Sequence, residues 1–434
     1  MKNVTKGTFL FVLAAIFMNG LGINVLAAQD SIPDLFVYSN HIFKPNIKTV
    51  LFHREGWELS PPLMEMNSGE KLLLSFDDLD ADGKEYMFTI VHCDADWNPS
   101  DLEKYEYIDG YYEDYIYEHR FSANTIVPYA HYELIFPTYD LKPLLSGNYM
   151  LKVYVENEDS LSFTRQFRVF EKKVNVEARI KQATDIADRN YKQEIDFTIL
   201  TGNYQVVNPY RDLKVVIRQN ERWDNAIRNL QPKMVISGKL EYNYDRENVF
   251  NGVNEFRSAD FKSLNYYTEN IARIESNYEG YKVVLKPADK RTFRVYKSED
   301  DINGKMLIKT EDYQPTETAA EYVNVLFILN YPVPLLDADM YVLGALSDWN
   351  YTDANKMTYN YKAKRYEINM LLKQGYYNYH FVLKYHDQTE GDATFIEGNH
   401  WETENDYTIY IYNREQGDFY DSLIGVGQFN SLNP

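Results

Sequence analysis

Period-two alternation of apolar and polar residues runs through much of this chain, and patterns with helical spacing are scarce. The stretch from Tyr86 to His92 shows the alternation clearly, because four ring-bearing or aliphatic residues share one face and the three between them share the other. The 39 tyrosines suit such a chain, since a tyrosine ring packs on a half-buried sheet surface while its hydroxyl stays in water. We therefore expect an all-β protein made of tandem immunoglobulin-like β-sandwich domains.

The first 28 residues have the features of a secretory signal peptide. Lys2 and Lys6 precede an apolar segment from Phe9 to Phe17, and small residues suited to cleavage follow by residue 28. No cysteine stands directly after the cleavage site, which excludes a lipoprotein anchor, and the apolar run is too short for a retained membrane span. The mature protein is therefore expected in the periplasm, with no membrane span of its own.

The charge of the chain excludes two classes of partner. The formal net charge is −20, and removal of the leader takes away two lysines and no acidic residue, which makes it −22. Such a chain is not expected to bind nucleic acid or an anionic membrane surface. A single cysteine allows no internal disulfide, so packed cores have to stabilise the fold.

Polar segments divide the mature chain into three expected units. The first spans 29–171 and ends before Lys172-Lys173, and the second spans 172–315. The polar linker 310–318 precedes the third unit, 316–434. Each unit contains several short strands separated by turn residues, which is the spacing of a sandwich.

An acidic turn joins two expected strands of the first unit. Lys71 to Phe76 and Glu85 to His92 read as the arms of a hairpin whose long tip is 77–84. Asp78 to Gly83 matches the first half of a calcium loop, but the position that should supply a bidentate glutamate is Thr89. A plain turn is the favoured interpretation, and a weak calcium site is the alternative.

Residues that could carry catalysis do not form a recognisable constellation. The eight histidines are scattered, and the chain has neither a nucleophile elbow nor a phosphate-binding glycine loop. Cys93 lies beside Asp94 and near Asp96, which works against a reactive thiolate. Glu255 and Arg257 would share a strand face and pair structurally, with each other or with Asp260. Acid pairs suited to a glycosidase occur by chance among 65 acidic residues, so we expect no enzyme, no cofactor and no metal.

The third unit resembles starch- and glycogen-binding modules with early-set immunoglobulin-like folds. The resemblance rests on the order of a G-x-x-x-x-W segment at 344–349, an L-x-x-G turn and a Y-x-Y-x-F strand. In such modules a tryptophan at the position of Trp349 stacks on a sugar ring, and Trp401 is the candidate for a second aromatic. Otherwise, Trp349 caps the core or contacts a protein. A periplasmic glycan-binding protein is thus the alternative function, and a hydrolase comes third.

Motifs spread along the chain resemble those of the type IX secretion system plug proteins of the Bacteroidetes. They occur in the order and spacing of that family: FDDL at 76–79, HCDADWNPS at 92–100, SGNY at 146–149, QNERWDN at 219–225, NEFR at 254–257, GALSDW at 344–349, LKQGYYNY at 372–379, TEN at 403–405 and DSLIG at 421–425. Val253 departs from the pattern, because the family commonly has a second glycine there.

The resemblance implies a non-enzymatic role at the inner side of the outer membrane. Plug proteins are thought to sit at the periplasmic mouth of a giant outer-membrane translocon barrel of the SprA type, and to seal its pore when no substrate is engaged. The partner would then be that barrel. We expect the contact at the aromatic segment 94–115, and we name five residues for it: Trp97, Tyr105, Tyr107, Tyr111 and Tyr112.

Overall fold

The computed structural model describes residues 39–311 and 315–432, and the expected signal peptide lies outside them. The expected all-β class is confirmed, since the helices in these residues are single turns. They are α1 (Lys104–Tyr107), α2 (Pro209–Asp212), α3 (Thr316–Ala319), α4 (Thr394–Glu397) and the 3-10 turn η1 (Ala345–Ser347). Within the described ranges, no helix has the length and apolar character needed to cross a membrane.

The first domain, residues 39–171, is a sandwich of two sheets. Its strands are β1 (His41–Ile42), β2 (Ile47–Arg54), β3 (Leu63–Glu65), β4 (Leu72–Asp78), β5 (Tyr86–Cys93), β6 (Ile108–Gly110), β7 (Asp114–Ile116), β8 (Glu118–Phe121), β9 (Ala130–Phe136), β10 (Leu141–Pro143), β11 (Gly147–Val155) and β12 (Leu161–Phe170). One sheet has the order β1-β12-β11-β5-β7, with β3 beside β12, and the other has the order β2-β4-β9-β8. Aromatic and aliphatic residues of both inner faces form the core between them.

The strands on either side of the acidic turn do not form the expected hairpin. β4 pairs with β2 and β9, whereas β5 pairs with β11 and β7 in the opposite sheet. The turn therefore crosses from one sheet to the other. Asp78 makes this possible because its buried carboxylate accepts from Asn46, from Lys84 and from the hydroxyl of Tyr86.

Up to residue 397, the chain first forms most of the second domain and then the third domain. The second begins with β13 (Asn175–Gln182), β14 (Lys192–Leu200), β15 (Leu213–Gln219), β16 (Ile227–Arg228), β17 (Met234–Ile236), β18 (Lys239–Tyr242) and β19 (Val249–Asn251). The third contains β20 (Arg257–Asp260), β21 (Ile271–Asn277), β22 (Gly280–Leu285), β23 (Met306–Ile308), β24 (Tyr322–Asn330), β25 (Ala338–Leu343), β26 (Thr358–Asn360), β27 (Arg365–Lys373) and β28 (Gly375–Tyr385).

The last two strands return to the second domain. β29 (Asp406–Asn413) pairs with β15 over seven residues, and β30 (Ser422–Asn430) pairs with β29. The second domain is thus discontinuous, consisting of 172–251 and 406–430, and the third domain is inserted into it. The expected boundary between 315 and 316 does not coincide with this pairing. Local patterning identifies a strand but not its partner nearly 200 residues away.

Each of these two domains is a sandwich with its own core. In the second, the sheet β13-β14-β18-β17 faces the sheet β16-β15-β29-β30. In the third, β21-β22-β24-β27-β26 faces a sheet built on β28, which pairs with β20, β23 and β25. The segment 291–296, which reads as a strand, lies outside the strands of the structure.

Candidate functional site

The tryptophan of the HCDADWNPS motif lies inside the junction between the first and second domains. The Trp97 and Trp223 rings meet edge to face, with 6.1 Å between their centroids. The Arg168 guanidinium covers Trp97, Trp223 and Tyr410 at 4.7, 5.0 and 4.4 Å from the ring centroids. The Arg218 guanidinium lies 4.0 Å from the Trp223 centroid. Both arginines are buried, so cation–π contacts replace much of the hydration of their charges.

Polar groups of three motifs complete this junction. The backbone N–H of Ala95 donates to the Asp421 carboxylate at 2.9 Å, and the Tyr412 hydroxyl donates to the Asn148 side-chain oxygen at 2.8 Å. Gly147 precedes Asn148 with φ +147°, and a Cβ there would lie 2.4 Å from the ring of the histidine that opens the HCDADWNPS motif. The SGNY segment therefore needs glycine at this position.

A buried ion pair joins the first and third domains. Asp77 of the FDDL motif accepts from Lys373 Nζ at 2.7 Å and from the Tyr322 hydroxyl at 2.6 Å. Its other carboxylate oxygen lies 2.6 Å from His131 Nδ1. The Asp77 and Lys373 side chains are 0% and 1% exposed, so the pair is shielded from water. Burial lowers the pKa of Lys373, and the Asp77 carboxylate opposes that shift.

The QNERWDN motif reaches the third domain as well as the first. While Trp223 packs against the first domain, Asp224 accepts from the Tyr351 hydroxyl at 2.7 Å and from the Gly391 N–H at 2.9 Å. Arg222 pairs with Asp224 at 2.8 Å and donates to the Gly391 carbonyl. Burial acts to raise the pKa of Asp224, but the Arg222 charge together with hydrogen bonds from Arg222, Gly391 and Tyr351 holds it below its usual value. This one loop therefore contacts both neighbouring domains.

The GALSDW motif also lies at a contact between domains, and TEN lies where the chain returns to the second domain. The carboxylate of Asp348, from GALSDW, pairs with the buried Arg165 of the first domain at 3.1 Å. The side chain of Asn405, from TEN, accepts a hydrogen bond from the Asn220 amide and donates one to the Gly252 carbonyl. Most of the motifs that carry the family resemblance thus contribute contacts between the three sandwiches.

The five residues expected at the partner surface divide into two groups. Trp97 and Tyr107 are 6% and 4% exposed, so their rings belong to the interior. Tyr105, Tyr111 and Tyr112 are 67%, 68% and 46% exposed. Sequence patterning could not separate the groups, because an aromatic residue in a loop has the same pattern whether its loop folds inward or outward.

The exposed tyrosines belong to a larger surface, which we call the aromatic edge. Its members share one border of the first domain, where β7 ends one sheet and β8 ends the other. They are Tyr105, Tyr111, Tyr112, Tyr115, Tyr117, Phe121 and Tyr139, all exposed. The Tyr111 N–H donates to the Asp140 carbonyl at 2.7 Å, which brings Tyr139 beside this segment. The density of tyrosine at 104–122 pointed to this surface, but nothing local linked Tyr139 to it.

Exposed acidic side chains alternate with the rings of the aromatic edge. They are Glu106, Asp109, Glu113, Glu118 and Asp140. Such a surface offers large rigid contact area at a low cost in conformational entropy, together with negative charge at its rim. It suits a protein partner with apolar pockets surrounded by basic groups.

The two tryptophans of the alternative sugar site do not form the paired aromatic surface on which a sugar ring could stack. Trp349 meets Phe256 edge to face at 6.0 Å, and the tip of its ring lies so close to Gly304 that a Cβ there would be 2.3 Å away. Its indole N–H is buried and has no hydrogen-bond partner among the residues that the structure describes. Trp401 is half-buried, and none of the ring contacts within 39–311 and 315–432 joins it to Trp349.

Side chains that could act in catalysis instead form structural hydrogen bonds and ion pairs. Burial raises the pKa of Cys93 to about 12, and its thiol donates to the Val91 carbonyl. Arg257 pairs with Glu397 at 2.9 Å rather than with Glu255 or Asp260, because Glu255 precedes strand β20 and points elsewhere. The described residues contain no group of three potential ligands that would hold a metal ion.

The acidic turn holds a cation of the chain itself. Lys84 Nζ lies 2.9 Å from Asp78, 3.4 Å from Asp82 and within ion-pair distance of Asp80. The ammonium group thus occupies the centre of the loop where a calcium ion would have to bind. This arrangement supports the plain-turn interpretation over the calcium alternative.

Comparisons with known proteins give this architecture a family. The family model described as the type 9 secretion system plug protein 1st domain matches residues 47–171. A crystal structure of a hypothetical protein from Parabacteroides merdae is 33% identical, with a TM-score of 0.88, over 90% of this chain and 99% of that chain. A search of curated proteins finds no match.

Two other structural matches are too dissimilar to support any inference about this chain. The C-terminal domains of the Streptococcus agalactiae AgI/II polypeptide BspA and of the Streptococcus pyogenes antigen I/II-family protein AspA are each 7% identical. Both alignments cover 88% of this chain and 99% of the other, with TM-scores of 0.15 and 0.14.

The fold and the junctions define a multidomain β-sandwich protein whose buried charged side chains stabilise the contacts between its domains. The comparisons add that this chain belongs to the family that carries the type 9 secretion system plug protein first domain, together with the Parabacteroides merdae protein. A role connected with type 9 secretion follows from that membership.

Proposed function

We propose that the protein is a non-enzymatic periplasmic plug. It binds the periplasmic side of the outer-membrane translocon barrel of the type 9 secretion system, of the SprA type, and seals the pore when no substrate is engaged. The observation that carries the proposal is that most of the family motifs make buried contacts between the three sandwiches, which join them into one large body.

The physical demand on a plug explains this design. A wide β-barrel encloses an aqueous channel, and an idle channel of that size would leak. To block it, a protein needs a broad surface that does not deform, and it needs no chemistry. Buried ion pairs and cation–π contacts between domains, such as Arg168 over Trp223 and Tyr410, resist the bending that would open a gap at the rim.

The aromatic edge is the proposed contact with the barrel. Exposed tyrosines are the residue type that contributes most to protein interfaces without much ordering cost. Tyr105, Tyr111 and Tyr112 remain in this role from the sequence-based set, whereas Trp97 and Tyr107 are buried and take no part in the surface. We place no catalytic residue, cofactor or metal in this function.

The test is an affinity purification of the tagged mature protein from solubilised outer membranes, with mass spectrometry of what is recovered. The wild type should recover one very large barrel protein at near-stoichiometric yield. A triple serine variant at Tyr105, Tyr111 and Tyr112 should lose most of that yield. A matched triple variant at the exposed tyrosines of the third domain should retain it; these are Tyr266, Tyr267 and Tyr278.

Two outcomes would contradict parts of the proposal. Equal loss in both triple variants would remove the aromatic edge as the specific contact. Recovery of no barrel by the wild type, together with retention on immobilised glucan that depends on Trp349, would favour the glycan-binding alternative.

A further inference from the structure

A cleft of about 580 Å³ lies between the first and third domains, and it takes no part in the proposed contact with the barrel. Lys48, Thr49 and Val50 of β2 line one side of it. The run from Asn369 to Lys373 in β27 lines the other side. This volume falls in the range of specific ligand sites.

The side formed by β27 is an open strand edge. β26 pairs with β27 only at 365–367, so the rest of that edge, from residue 368 onward, has no strand beside it in the described part of the chain. Successive residues of a strand point to opposite faces, and yet all five residues from Asn369 to Lys373 line the cleft. A cavity touches consecutive residues in this way where it meets the edge of a strand, at its unpaired N–H and C=O groups.

The opposite side is an edge as well. β2 is the terminal strand of its sheet and pairs with β4 alone. The register of that pairing shifts between Lys48 and Leu51, and Thr49 has φ +49°, which is unusual for a β-branched residue. Bulges of this kind re-aim side chains at sheet edges.

The cleft is lined by more cations than acids, with Lys44, Lys48, Arg165 and Lys373 against Asp348 and Asp353, whereas the protein as a whole is acidic. Lys48 is half-buried at the cleft and forms no ion pair or side-chain hydrogen bond with any described residue. Lys44 lies nearby and is exposed, whereas Arg165 is already committed to Asp348. A chain with a net charge of −20 thus leaves an unpaired ammonium group beside an open strand edge.

We propose that this cleft binds an extended acidic peptide segment of a partner protein. The segment adds a strand to the β27 edge at Asn369–Leu372, about 13 Å for four residues. A carboxylate of the peptide pairs with Lys48. Backbone hydrogen bonds supply the affinity, and the Lys48 charge selects acidic sequences.

This site goes beyond the plug role and does not depend on it. β2 and β8 are the two opposite edges of one sheet, so the cleft and the aromatic edge lie on different sides of the first domain. The protein can therefore hold the barrel and a peptide at the same time. Loss of either contact would leave the other measurable.

The test uses the mature protein and a short fluorescein-labelled peptide of alternating valine and glutamate, with anisotropy as the readout. The wild type should bind the peptide, and Lys48→Glu should weaken binding by about tenfold or more. Lys172→Glu changes an exposed lysine away from the cleft and should leave binding unchanged. Equal thermal unfolding midpoints would show that both variants are folded.

Two N-methylated versions of the peptide distinguish strand addition from plain charge attraction. In one version the valine amides are methylated, and in the other the glutamate amides are methylated. Only one of the two sets faces β27 in a strand pair, so one version should lose binding and the other should keep it. Equal binding by both versions, no binding of the parent peptide at millimolar concentration, or an equal effect of Lys172→Glu would overturn the proposal.

Discussion

Neutralising Asp77 should destabilise the junction between the first and third domains, because it leaves the Lys373 ammonium buried without a counter-charge. The two side chains are 0% and 1% exposed, and 2.7 Å separates Lys373 Nζ from the carboxylate. Removing one partner of such a pair costs about 3–5 kcal/mol. The ammonium keeps a hydrogen bond to the Glu317 carbonyl at 3.1 Å and lies 4.1 Å from the Tyr129 ring centroid, so we expect Asp77→Asn to cost about 3 kcal/mol.

The double variant Asp77→Asn, Lys373→Met shows whether the cost comes from the unpaired charge. With both charges gone, the free energy of unfolding should return to within about 1 kcal/mol of the wild type, since well-packed neutral groups replace a buried pair at little cost. Urea unfolding followed by tryptophan fluorescence measures each variant. Glu275→Gln, in the exposed pair with Arg273, is the control and should change stability by less than about 0.5 kcal/mol. A double variant as unstable as Asp77→Asn, or a single variant within about 1 kcal/mol of the wild type, would refute the reasoning.

Three further predictions concern other parts of the molecule. Gly147→Ala should lower the unfolding midpoint, because the added Cβ would collide with His92. In the control Gly238→Ala the Cβ meets no atom within 4 Å, so only the strain of its backbone conformation lowers the midpoint, and calorimetry compares the two variants. The Cys93 thiol, with its pKa raised to about 12, should resist a thiol reagent at pH 8 until denaturant is added. Burial raises the pKa of Glu255 to about 7, so its contribution to stability is complete below about pH 4.5 and is lost as the pH rises through 7. In Glu255→Gln, the free energy of unfolding should therefore depend less on pH over this range.

Much of the local structure could be predicted from the sequence. The strand predicted from Glu85 to His92 is β5, which begins and ends within one residue of those bounds. Alternation suffices for this, because each strand buries one of its faces. The all-β class follows from the same signal.

Long-range pairing and burial could not be predicted in the same way. Nothing near β15 shows that its neighbour is β29, and nothing near the acidic turn shows that its flanking strands enter different sheets. Trp97 looks like an exposed loop aromatic until Trp223, over 100 residues away, closes over it. Such contacts depend on how finished sandwiches dock, which local residue patterns do not encode.

The motifs gained a physical meaning from the structure. They had indicated a family, and most of them proved to make contacts between domains. A buried charge pair such as Asp77 with Lys373 tolerates loss of one member poorly, which explains why these residue types sit at these positions. The exposed aromatic edge is held in place by this framework without belonging to it.

The most direct test of the plug account is a conductance measurement on the purified translocon barrel in a planar lipid bilayer. Addition of the protein to the periplasmic side should close the large ion conductance, and the triple serine variant at Tyr105, Tyr111 and Tyr112 should leave it open. A wild-type protein that binds the barrel and leaves the conductance unchanged would contradict the central claim.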